Sequence, residues 1–538
     1  MKISEIMQNK RNIAIILIVI GVVLAALIGF LIWQAQSKPK GIVVAISNLP
    51  DSLNPVLEQN IFGINASELV FDGLVNFEVD NQSKKLYPEL ALAESIDQDE
   101  KTKKTYTALL RDIYWHDGST LSAKDVVYSF ATYTDKSNNS PKRDYLISFI
   151  ESITAIDDRT VKINFVNPLP PFRAYPVLTF KIIPSVYRGQ MMEVNMRAGE
   201  NERNFAVEPV GTGPFRLTGW QIGKWLSFEA NGTYFKQIPR ANSIIIKKII
   251  DPIVRMNELR RGRNNLILET SPLDRTKVAK ISGIDINSYL PYAFYMVSIN
   301  TKLFSNLEAR KALSIAIDRP NLLPSITDRK KGVVLNWGPF PSNLFISNIP
   351  EYVNELMPNF LPYNLNKAIK LAESGGIKDQ TAILLYPDSM GEFGMRMADG
   401  IVKQLAKIGL NVEAKRTGDQ VFKRIVFKEK SYELALVYCD GFDNLYSSLW
   451  NWYASEGEFN ISGITDNLLD NLFKRWNKTV ITADWVELTI KIQKRISELA
   501  PAIYLCSLEK DVYSRALRDV TIATDNPFLS VENWLLKD

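Results

Sequence analysis

A chain of 538 residues is too long for one hydrophobic core, and two or three domains are expected. Its net charge of +5 arises from 64 basic and 59 acidic residues. The longest basic clusters (Lys101–Lys104, Arg260-Arg261-Gly262-Arg263 and Arg329-Lys330-Lys331) are short and lack the interleaved aromatics of a nucleic-acid surface. A single histidine, His116, and two cysteines, Cys439 and Cys506, exclude multi-histidine metal sites, Cys-x-x-Cys redox centres and cysteine-rich zinc sites.

Residues 1–12 read as an N-terminal tail. From Ile13 to Ile32 no side chain is charged or hydrogen-bonding, and Trp33 closes the run. As a helix, residues 13–33 would span roughly 31 Å, the thickness of a bilayer's hydrocarbon core. Lys10 and Arg11 precede the run, and Trp33 suits the interface. The reading is an uncleaved signal anchor in the lipid bilayer, with the body on the extracytoplasmic side. The alternative is a signal peptide cut after Ala35-Gln36-Ser37, although its apolar region usually runs only about 7–15 residues. Residues 34–40 form a short linker.

Beyond it the chain reads as mixed α/β. Gly41–Ser47 is a buried-strand pattern broken by Asn54-Pro55, and Ser67–Val75 has helix-like spacing. Lys104–Leu110 alternates as a strand. Asp117-Gly118 is a hairpin turn signal, and Ser122-Ala123-Lys124-Asp125 opens a helix as a capping box. His116 sits at that turn and reads as structural. Residues 160–166 alternate before the proline-rich 167–171, 243–250 is a buried strand, and Ile253–Arg260 is a short helix. Amphipathic helices follow at Leu307–Ile317, Asn366–Ser374 and Met397–Ile408, the last ended by Gly409. Leu410–Lys415 and Glu433–Tyr438 read as strands. Helices alternating with strands indicate an α/β body.

Catalytic motifs are missing. No phosphate loop, Gly-x-Ser-x-Gly or His-Glu-x-x-His occurs, and Arg216 breaks the Gly211-Thr212-Gly213 run as a dinucleotide motif. Neither a cofactor nor a metal is called for. Six aromatics instead fall between Tyr438 and Tyr453, around Asp440, Asp443 and Asn444, just beyond a predicted strand. Ligands of α/β sheets bind beyond strand ends, in pockets with aromatic walls and few polar groups. The competing reading is a loop whose aromatics pack inward.

Several segments together resemble the extracellular solute-binding proteins of family 5, which include oligopeptide-, dipeptide- and nickel-binding components of ABC importers. They are Leu53-Asn54-Pro55, Val70–Val75 (VFDGLV), Leu86–Ala91, Trp115-His116-Asp117-Gly118, Ser122–Val127, Val210–Phe215 (VGTGPF), Ala309–Leu313, Ala316–Arg319 and Gln404–Leu410, in family order. The resemblance implies a two-lobed periplasmic-binding-protein-like α/β fold of the large three-domain form, type II. Its core domain in lobe I would comprise 41–66, 209–290 and 500–538, its smaller domain 67–208, and lobe II 291–499. It further implies a binding protein rather than an enzyme, taking a peptide between closing lobes and delivering it to ABC permease subunits, and acting as a monomer. An aspartate in the segment matching Tyr438–Asp443 would pair with the peptide's amine. Here Val437-Tyr438 replaces the family's usual tryptophan, Gly441 stands near the acid's place, and Asp440 and Asp443 both remain candidates. The ligand-binding set is Asp440, Tyr438, Gly441, Phe442, Asp443, Asn54 and Tyr295. A tethered receptor or chaperone of the same fold, or a binder of a nickel complex or oligosaccharide, is the alternative.

Overall fold

The computed structural model describes residues 41–537 apart from 81–83, 85, 272, 328–331, 342–359, 441–444 and 480–481. The expected tail, anchor and linker, residues 1–40, therefore lie outside the described residues. Among the described residues no helix is long and apolar enough to cross a membrane.

Two sheets organise the body. The first has seven strands, in the order Phe215–Gln221, Trp225–Ala230, Ser243–Lys248, Ile42–Ile46, Leu266–Ile267, Lys510–Ser514 and Asp285–Tyr289. Ile42–Ile46 is central because it is apolar throughout; Ile42, Val44 and Ile46 are buried, and it runs parallel to both neighbours. The second sheet has six strands, in the order Val333–Leu335, Ala502–Leu508, Phe294–Ile299, Leu434–Cys439, Thr381–Pro387 and Asn411–Thr417. Helices Leu307–Ile315, Leu365–Ser374 and Gly391–Leu405 pack their apolar sides against it. A short turn at Ala406–Ile408 ends in Gly409, whose φ of 82° is the left-handed conformation that glycine adopts without strain. A four-stranded antiparallel sheet, Ala93–Gln98, Thr105–Leu110, Thr160–Phe165 and Ile150–Ala155, builds the small domain.

Two expectations are corrected. Ala502–Leu508 falls within the 500–538 segment assigned to lobe I, yet it pairs with Phe294–Ile299 in the second sheet. The chain leaves that sheet only at Glu509 and enters the first at Lys510. Ala502–Leu508 is buried along its whole length, as a strand inside a sheet covered on both faces should be, and sequence order carries no record of which sheet it joins. The helix read at Ser67–Val75 instead spans Ile61–Val70, capped by the Asn60 side chain accepting from Phe62 N–H at 3.0 Å. Val75–Val79 is a strand. The divider is Asp72-Gly73. A Cβ on Gly73 would meet carbonyl oxygens of Val75 and Phe180 at 2.7 and 3.0 Å, so the chain turns there under tertiary constraint.

That turn lies in a polar knot joining the small domain to the core of lobe I. Asp72 accepts from Asn76 Nδ2 (2.7 Å), Tyr234 OH (3.1 Å) and Thr212 Oγ1 (2.8 Å). Gly213 N–H donates to Val70 O at 2.8 Å. His116 N–H donates to Gly211 O at 2.8 Å, its Nε2 faces Gly213 O at 2.9 Å, and Gly211 N–H points at its Nδ1 at 3.4 Å. Burial lowers the His116 pKa and keeps the ring neutral. The segments around Val70, His116 and Gly211 thus meet in space.

Nearby, the hairpin Val75–Val79/Leu86–Leu90 docks on the core domain through the Lys236–Glu78 ion pair, with Glu89 3.8 Å from the same ammonium. Burial, and then the charge of Glu78, raise the Glu532 carboxyl to about 7.

Gly211→Ala would bring its Cβ to 1.8 Å from Val70 O. Urea unfolding should show a loss of about 3 kcal/mol, at the upper end of overpacking costs. The raised Glu532 carboxyl holds a proton in the folded state that the unfolded chain has released, so between its ordinary value of 4.5 and about 7 stability should fall as pH rises. Glu532→Gln should flatten that slope and gain of the order of 1 kcal/mol at pH 8, read from urea unfolding at pH 5 and pH 8.

Candidate functional site

The lobes are joined by two chain crossings, residues 290–293 and Glu509, and the candidate site forms beside them. Phe294–Ile299 and Leu434–Cys439 are antiparallel, and the register sets Tyr295 opposite Tyr438. Their side chains therefore share one sheet face, with ring centroids 4.9 Å apart. Phe393 sets its ring edge-on to Tyr295, 5.1 Å between centroids. From the opposite lobe, Lys510 places its ammonium 5.0 Å over the Tyr438 ring while pairing with Asp525 at 2.6 Å. Asp525 also accepts from Tyr289 OH at 2.7 Å. A cavity of about 80 Å³ lies between the lobes here, lined by Thr270, Tyr295, Tyr438 and Leu508–Asp511.

Burial pushes the Tyr438 phenol well above its ordinary range, and the charges of Asp525 and then Asp440 add to this. Its hydroxyl is a neutral donor, buried without a hydrogen-bond partner among the described residues. Asp440 follows the strand end and is exposed. Gly441, Phe442 and Asp443 lie outside the described residues. Asn54 is fully buried and shapes a turn: its Oδ1 accepts from Val56 N–H at 3.0 Å, and its carbonyl accepts from Leu57 and Glu58. The structure thus brings Tyr295, Tyr438 and Asp440 to one strand end and sets Asn54 in a turn of the first lobe. Lys510, Asp525, Tyr289 and Phe393 escape a sequence reading, because nothing local marks them; only strand register and lobe docking collect them.

A second cavity, about 260 Å³, also spans the lobes. Phe77, Tyr145, Leu146, Pro176, Val177 and Phe180 wall it from the small domain, and Asn451 faces them from lobe II. Cys439 and Cys506 are free and buried on the two strands flanking Phe294–Ile299. Two inter-strand spacings, roughly 9–10 Å, separate them, beyond disulfide reach. Among the described residues no group of three or more His, Cys, Asp or Glu side chains could hold a metal.

The orphaned hydroxyl makes Tyr438 a direct test of site packing. Tyr438→Phe should match the parent protein or gain up to about 1 kcal/mol in thermal unfolding, because it deletes an unpaired buried donor. Tyr438→Ala, which strips the ring from beneath Lys510 and beside Tyr295, should cost about 2 kcal/mol.

Comparison with known proteins matches this architecture. "Protein XP55" of Streptomyces lividans is 30% identical over 292 residues, 54% of this chain and 50% of that one. The dipeptide-binding protein of Escherichia coli is 23% identical over 504 residues, 88% of this chain and 90% of that protein. The crystal structure of the ABC transporter substrate-binding protein CtaP from Listeria monocytogenes superposes with a TM-score of 0.80 at 22% identity, over 92% of this chain and 99% of that one, and shares the fold. The family model of bacterial extracellular solute-binding proteins, family 5, matches residues 86–460. That match spans well over half of the sequence, and the chain belongs to this solute-binding, non-enzymatic family.

Proposed function

We propose that the protein captures peptides between its two lobes outside the cytoplasm and delivers them to an ABC permease, held at the membrane by residues 13–33. The observation that carries the peptide reading is the exposed Asp440 carboxylate at the end of Leu434–Cys439, beside the tyrosine pair and the interlobe cavity. An extended peptide laid along such a strand end gains main-chain hydrogen bonds without reading side chains, and a carboxylate at the end of the run selects a free amine. The resemblance to a dipeptide-binding protein over most of the chain supports the same ligand class. A nickel complex is less well served, because the only histidine, His116, has both ring nitrogens facing the Gly211–Gly213 backbone.

In this reading Tyr295 and Tyr438 form the floor of the site and Asn54 acts through the turn it builds. Of the two candidate acids, Asp440 is the amine partner. Tethering by residues 13–33 would raise the effective concentration of loaded protein at the permease.

Calorimetric titration with alanine peptides of two to five residues tests this. Asp440→Asn should weaken free-amine peptides by at least about tenfold, the worth of a charge-assisted bond, and leave N-acetylated peptides unchanged. Equal loss for both sets, or none, would reject Asp440 as the partner. A receptor of the same fold would show the same binding, yet deleting its gene would leave uptake of labelled peptide intact.

A further inference from the structure

The small domain has no covalent link to lobe II. The strands before and after it, Ile42–Ile46 and Phe215–Gln221, both lie in the seven-stranded sheet. Nevertheless a helix of the small domain reaches lobe II. Pro170 and Pro171 end the preceding proline-rich run and start the helix Pro171–Val177, with proline at its first position where no amide is needed. Its first turn carries Phe172 and Arg173 to lobe II.

Arg173 meets the end of the helix Asn467–Lys478. Nη1 donates toward the carbonyls of Trp476 (3.5 Å), Asn477 (3.3 Å) and Thr479 (3.2 Å), and Nη2 donates to Asn477 Oδ1 (3.2 Å). The final carbonyls of a helix are its negative pole, so a guanidinium is the group to satisfy them, and its planar fork reaches several acceptors at once. Phe172 sets its ring edge-on to Trp485, 6.0 Å between centroids, and Trp485 stacks on Trp476 at 5.1 Å. Both tryptophans belong to the lobe II core. The same short helix walls the larger interlobe cavity with Pro176 and Val177. One element therefore caps a lobe II helix at one end and closes an interlobe space at the other.

We propose that Arg173 sets solute affinity without touching the solute, as a latch that holds the lobes together across the cleft. Its bonds to the Trp476–Thr479 carbonyls join separate bodies, so they form on closure and break on opening. Apparent affinity scales with the fraction of molecules in the binding-competent state, so a contact that favours closure tightens binding of any solute the site accepts. Arg173 is only half-buried, and water can take over its donors when the lobes part, which keeps opening accessible for release. The affinity arm rests on the solute-binding reading; the lobe-distance arm does not.

The test uses the full chain in detergent micelles, spin-labelled at Ile156→Cys on the small domain and Leu468→Cys on lobe II, two exposed positions, while the native thiols stay buried. Pulsed electron resonance reads the interlobe distance with and without trialanine. Arg173→Ala should shift the unliganded population to longer distances and speed trialanine dissociation about tenfold, with Arg173→Lys in between. Without the spin labels, an Arg173→Cys/Asn477→Cys cross-link should slow dissociation, and reduction should restore it. Unchanged distances in Arg173→Ala overturn the latch, whether dissociation speeds up or stays the same. If Arg173→Ala does not fold, Arg173→Lys and the cross-link decide. If the parent protein binds no trialanine, the distance distributions still decide the latch.

Discussion

Asp72 is 1% exposed, and a carboxylate taken so far out of water is tolerable only when donors replace the hydration it loses. Its three donors come from different parts of the chain: Asn76 from the following strand, Thr212 from the return to the core domain, and Tyr234 from just after the hairpin Phe215–Gln221/Trp225–Ala230. The charge can be satisfied only when the small domain sits correctly on the core of lobe I. Around it Gly211 and Gly213 lie so close to Val70 that no side chain would fit, and His116 faces the same segment. The small domain's attitude depends on this knot, and with it the position of the helix Pro171–Val177 that reaches across to lobe II.

Lobe II is assembled on a different principle. Its sheet receives Ala502–Leu508 from almost the end of the chain, so it closes only after a long excursion. The strand then passes directly into lobe I, and one continuous segment, Leu508–Asp511, both lines the small cavity and carries Lys510 over Tyr438. A site built at such a crossing senses the angle between the lobes, because its two walls belong to different bodies. On the proposed function, opening and closing would change the site itself, because its walls belong to different bodies. The covalent connections are residues 290–293 and Glu509, and Arg173 adds a non-covalent contact to lobe II from the small domain.

Much of the architecture was legible locally. Gly118 has a φ of 87°, as the Asp117-Gly118 turn demands, and Ser122 N–H donates to Asp125 Oδ2 at 2.8 Å, the return half of the expected capping box. Asp125 does more than a cap requires: its Oδ1 also accepts from Ser185 N–H at 2.7 Å, a partner sixty residues away. Arg319, at the end of the Ala316–Arg319 motif, is 2% exposed, with its guanidinium against the Trp337 ring. In both cases the residue type was readable and its distant partner was not.

The sequence by itself determined the mixed α/β class, the exclusion of multi-histidine and Cys-x-x-Cys sites, the turns and most helix ends, and the ordered motifs that mark the family. These are properties of composition, periodicity and short spacing, and they act over a few residues. The tertiary structure alone decided that Ala502–Leu508 belongs to the second sheet, that the helix ends at Val70, that Asn54 is buried in a turn, and that Tyr295, Tyr438 and Lys510 share one cavity. The reason is physical. Strand register and lobe docking bring together residues separated by up to hundreds of positions, and the free energy that selects those partners comes from burial and hydrogen-bond satisfaction of the whole assembly, which no local window of sequence contains.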